Sequence, residues 1–153
     1  MIINVSVAVD RIINECNIQT SHDLQAMRVQ AGDAVNAIYD DWILTEHNRE
    51  EIYYAMQDIC ADMAFVMRTL LHTYSAGRDV ISVDLENASV EANEGAVLEG
   101  MLRKYLKHSL LAWWYTARNT DLAGVNSSMA ESALSNLFTQ CLPRVGTSVG
   151  RYF

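Results

Sequence analysis

A chain of 153 residues that is half apolar and one-fifth charged, with a single proline, has the composition of one globular domain built largely from helices. Its net charge of −8 excludes nucleic acid as the main partner, because phosphate contacts need clustered Lys and Arg, so no direct sequence-specific nucleic-acid binding is expected.

The chain opens with "MIINVSVAVDRIINEC". Asp10 and Arg11 cut its apolar run short and no basic residue precedes it, so a signal peptide is not expected. No apolar run is long enough for a membrane span, which leaves a protein made and kept in a cytosol. Residues 5–17 read as a short helix, with Val9, Ile12, Ile13 and Cys16 at helical spacing, and Ile2 and Ile3 either extend it or form a short strand. In residues 18–44, Leu24, Met27, Ala31, Val35, Ile38 and Trp42 share a stripe that Gly32 interrupts, which predicts one or two short helices in a long connection.

The clearest element is a long helix from about residue 45 to 74. Thr45 or Asn48 is its N-cap, with Glu51 completing a capping box from Asn48. Ile52, Met56, Ile59, Met63, Val66 and Leu70 follow at alternating spacings of four and three, and Gly77 supplies the C-cap. "VISVDLENAS" then changes the period to two, placing Ile81, Val83 and Leu85 on one face and Val80, Ser82, Asp84 and Glu86 on the other. A strand needs a partner, which here is a weak local segment or a neighbouring subunit. A second long helix runs from about 92 to 118 and a third from about 121 to 142, where Pro143 ends it. The expected fold is thus mainly α: a bundle of about four helices in one domain over residues 1–142, one short strand or β-hairpin, and an extended, flexible C-terminal arm over residues 143–153.

"LLAWWYTARNTDLAG" sets Trp113, Trp114 and Tyr115 side by side, and neighbouring helical residues point about 100° apart. One core-facing stripe cannot bury all three rings. Trp113 is assigned to the core, with Ile52, Ile59, Met63, Val66, Leu70, Leu98, Leu102, Leu106, Val125 and Leu137. Trp114 and Tyr115 are placed at the margin, covered by partner chains or by the 18–44 connection.

Chemistry is sparse. Cys16, Cys60 and Cys141 are far apart and form no C-x-x-C pair, so they read as small buried hydrophobes in a reducing compartment. A di-iron bundle wants Glu-x-x-His on two helices, but Gln19, Leu44, Thr69 and Tyr105 stand three residues before the four histidines. No phosphate-loop, nucleophile-elbow or zinc-helix motif is found, so no catalytic, metal or cofactor residue is assigned. Asp58 and Asp62 read as a solvated helix face, and His108, beside Lys104 and Lys107, as surface. Charge is uneven: residues 1–92 hold 15 acidic and 5 basic side chains, and residues 93–153 hold 4 and 6. Such a split is either a solvated acidic surface or a subunit suited to head-to-tail packing.

Four stretches carry a resemblance: "TEHNREEI" at 45–52, "VISVDLENAS" at 80–89, "YLKHSLLAWWYTARNTDLA" at 105–123 and "LPR" at 142–144. In this order the chain resembles the head–tail connector, or neck, proteins of tailed bacteriophages and of prophages in gut bacteria. The similarity spans about residues 45–145, and the tract before Thr45 matches less well. The resemblance implies a non-enzymatic virion component, assembled in the bacterial host cytoplasm. It would form a twelve-fold or six-fold ring against portal, tail or other neck proteins. The residues expected at interfaces are Trp114, Tyr115, Val80, Ser82, Asp84 and, in the arm, Arg144, Arg151, Tyr152 and Phe153. Two other classes stay open: a cytosolic helical interaction module of regulatory or immunity type, and a small helical enzyme or carrier with a pocket lined by Trp113, Tyr105 and the methionines.

Overall fold

The computed structural model describes residues 1–31, 42–87 and 94–142. It is mainly α, with four helices and a small antiparallel sheet. Strand β1 (Ile2–Ala8) runs directly into α1 (Val9–Ala31). After a 3-10 turn, Glu46–Asn48, come α2 (Arg49–Val66), β2 (Leu71–Ala76), β3 (Val80–Glu86), α3 (Glu94–Thr116) and α4 (Thr120–Cys141).

The strand at 80–86 is the centre of the sheet, in the order β1-β3-β2. Both its neighbours are antiparallel and both belong to its own chain, so the partner is local and not a second subunit. The expected alternation holds: Ile81, Val83 and Leu85 are buried, and Val5 and Val7 of β1 join them on the inner face. On the outer face, Asn4 donates to Ser82 Oγ at 2.9 Å and to Asp84 Oδ1 at 2.7 Å, while Thr73 donates to Asp84 Oδ2 at 2.8 Å.

The helix expected over 45–74 stops at Val66, and 71–76 is strand. Leu70, Leu71 and Tyr74 fit either period, and the free edge of β3 decides in favour of strand, as tertiary pairing commonly overrides local pattern. Gly77 is therefore not a helix cap. It opens the two-residue turn between β2 and β3, bonding its amide to the Val80 carbonyl at 3.0 Å. The turn is held from outside: Arg49 donates to the Arg78 carbonyl at 3.2 Å and pairs with Asp10, and Arg78 pairs with Glu50. The capping box is also shifted, joining Thr45 and Asn48 instead of Asn48 and Glu51.

Residues 9–31 form one continuous helix, where a short helix over 5–17 followed by one or two short helices within the 18–44 connection was expected. Its Ile12, Ile13, Cys16, Thr20 and Leu24 are buried, whereas Val35 and Ile38 lie outside the described residues. Helix α3 runs through the middle of the molecule. It packs along α4 and is touched by α1, α2 and β1, which is why its buried residues occupy most of its circumference. Ile52, Ile59, Met63, Leu70, Leu98, Leu102, Leu106 and Leu137 are core residues as expected, but Val66, Trp113 and Val125 are not.

Candidate interaction surface

The three adjacent rings divide opposite to expectation. Trp114 is 2% exposed and Tyr115 fully buried, while Trp113 is 39% exposed. Burial on α3 follows Leu98, Leu102, Leu106, Leu110 and Trp114 in steps of four, which drifts around the helix and away from Trp113. The drift carries the buried face toward α1 and the segment that precedes α2. That segment covers the rings: Trp114 Nε1 donates to the Trp42 carbonyl at 2.6 Å, and Trp42 meets the Tyr115 ring edge-on at 6.0 Å. The Tyr115 hydroxyl donates to Asp23 on α1 at 2.6 Å, and the Arg118 guanidinium lies 3.6 Å over the Trp114 ring. The segment is also pinned to α1, since the Leu44 amide donates to Thr20 Oγ1 at 3.1 Å and Asn17 donates to the Leu44 carbonyl at 2.9 Å. Trp114 and Tyr115 are thus internal clamps, covered by α1 and by the segment at Trp42–Leu44.

Of the expected strand contacts, Val80 is exposed and Ser82 and Asp84 are half-buried in the outer polar ladder. Hydrogen bonds from Asn4 and Thr73 hold the Asp84 carboxylate below its ordinary pKa. Arg144, Arg151, Tyr152 and Phe153 lie outside the described residues.

Large apolar side chains do reach solvent elsewhere. Phe65 and Val66 on α2, Trp113 on α3, and Val125 and Met129 on α4 are each at least 39% exposed. Between α2 and α4 runs a groove floored by Tyr105, Ser109 and Ala112 of α3; its two ends share Glu131 and Leu134, with volumes of about 350 and 360 Å³. Val66 and Phe138 line one end, and Asp62 stands at the other.

A second cleft of about 390 Å³ separates α1 from α3, lined among others by Glu15, Ile18, Lys104, Lys107 and His108. His108 is buried, not on the surface, and its Nδ1 lies 2.9 Å from Asn126 Oδ1 on α4. Burial holds this imidazole below its ordinary pKa; Lys107 and Lys104 act in the same direction, while the hydrogen bond to Asn126 and the Glu15 charge oppose it. The sequence reading placed His108 on the surface and did not anticipate its pairing with Asn126. The signal was present in the surplus of rings on α3, which marks a helix enclosed on several sides.

The cysteines are free and buried, and burial raises Cys16 and Cys60 to about 12 and Cys141 to about 11, which keeps the thiols protonated. Among the described residues no three His, Cys, Asp or Glu side chains converge to hold a metal ion, and no helix is long and apolar enough to cross a membrane. Compared with family models, curated proteins and solved structures, the chain matches none.

Proposed function

We propose that this protein is a structural component of a tailed-phage neck, a head–tail connector subunit that acts by contact and not by catalysis. The observation that carries the reading is the set of exposed large apolar side chains on three successive helices, Phe65, Val66, Trp113, Val125 and Met129. Large apolar side chains left in solvent support a protein contact where they adjoin one another. The sequence resemblance over about residues 45–145 supplies the kind of assembly, and the groove between α2 and α4 supplies relief into which a partner can pack.

The test is mass measurement and electron microscopy of the purified protein, alone and mixed with a portal protein from the same phage or prophage. Rings, or a monomer that joins the portal in stoichiometric copies, are expected. A monomer that ignores the portal and binds one cellular protein would replace this reading by the regulatory or immunity-type module. On the connector reading, deletion of residues 145–153 leaves thermal stability nearly intact and abolishes incorporation into particles.

A further inference from the structure

The chain contains only two lysines, Lys104 and Lys107, and both line the cleft between α1 and α3. At spacing i, i+3 they stand on one face of α3. Arg103 beside them is satisfied, with Glu99 at 2.5 Å and Glu15 at 3.2 Å. Among the described residues neither lysine forms an ion pair, so two positive charges are left over beside the exposed Ile18.

Helix α2 holds the complement. Glu51, Asp58 and Asp62 are exposed, and among the described residues they too have no ion pair. Their spacing of seven and four puts them on one stripe, flanked by Tyr54 and Phe65, which are 61% and 70% exposed. Asp58 and Asp62 are one helical turn apart, as the lysines are. Like charges at this spacing repel, so a partner bearing two cations one turn apart relieves a tension the isolated subunit retains.

We infer that the acidic, aromatic stripe of α2 in one copy docks into the lysine cleft between α1 and α3 of a second copy. No residue belongs to both patches, so the contact is head-to-tail, the kind that closes into a ring or runs on as a filament. Charge complementarity selects the occupant: the cleft offers two ammonium groups about one helical turn apart, and the stripe offers carboxylates about one turn apart with apolar flanks, none of them ion-paired among the described residues. The inference rests on the assembly reading above and adds the two surfaces to it.

The test is sedimentation velocity on the full chain over a range of concentration and salt, with two charge reversals, K104E/K107E and D58K/D62K. The wild type is expected to self-associate and to weaken as salt rises. Each reversal alone is expected to weaken association at least tenfold. Mixing the two restores it, because every interface in an alternating assembly then pairs opposite charges. If a reversed variant fails to fold by circular dichroism, K104Q/K107Q and D58N/D62N carry the single-variant comparison. Association unchanged in all variants overturns these surfaces and leaves the assembly reading standing. A wild type that stays monomeric at every concentration and low salt overturns the inference, and binding to the portal then decides the assembly reading separately. Failure of the mixture to associate when the wild type does also overturns it.

Discussion

Trp114 donates its indole hydrogen to the backbone carbonyl of Trp42 at 2.6 Å, across 72 residues of sequence. The bond closes one side of the core, because the same segment is also tied to α1 through Thr20 and Asn17. Trp114→Ala is therefore expected to cost about 3–5 kcal/mol in urea denaturation. Trp113→Ala, at the neighbouring half-exposed position, is expected to cost distinctly less, about 1–2 kcal/mol. Equal losses would show that the rings are not divided as described.

Tyr115→Phe isolates the other clamp. It keeps the ring against Trp42 and removes only the hydroxyl that bonds Asp23. A loss of about 1–3 kcal/mol is expected, since hydrogen bonds to charged groups lie at the stronger end. The companion variant Asp23→Asn separates loss of the charge from loss of the acceptor.

Stability falls with pH in two separate windows. His108 has its pKa depressed in the fold, so the unfolded chain takes up the proton first and stability declines as pH drops below about 6.5. His108→Gln is expected to flatten that decline. Asp84 is also depressed, but as an acid its contribution is present above its unfolded pKa and lost only below about pH 4. A denaturation series from neutral to acid pH, with and without H108Q, separates the two.

At Gly77 an added Cβ would come within 2.9 Å of the Val80 carbonyl oxygen, which is backbone and cannot swing aside. Gly77→Ala is expected to cost about 1–3 kcal/mol and to speed amide exchange in the β2–β3 hairpin first. Exchange that accelerates equally across α3 and α4 would count against a local effect.

Legibility followed how each element is buried. Helices α3 and α4 were readable to within a few residues because their apolar periodicity is long and Pro143 marks the end of the second. The 80–86 strand was readable from its alternation. Its two partners were not, since β1 could equally extend the first helix and the 71–76 tract fits helical spacing; only the pairing with β3 resolves them. The placement of Trp113 failed for a related reason. A helix covered by α1, α2, α4 and β1 has no single stripe, so periodicity alone cannot say which of three adjacent rings faces out. His108 was misread because its charged sequence neighbours hid a partner on α4.

The central position of β3 sets an order of events during synthesis. Strand β1 pairs in the register Ile2↔Glu86 to Ala8↔Val80, so it waits for a partner made more than seventy residues later. At ordinary elongation rates that interval is roughly 4–17 s, long compared with the microseconds in which a hairpin forms. The hairpin of β2 and β3 therefore forms as a local unit, and Val5 and Val7 find their covered positions only when it is in place. Nascent chains halted before residue 80 should carry β1 as an unpaired apolar strand and be held by chaperones, while chains released after α4 should not.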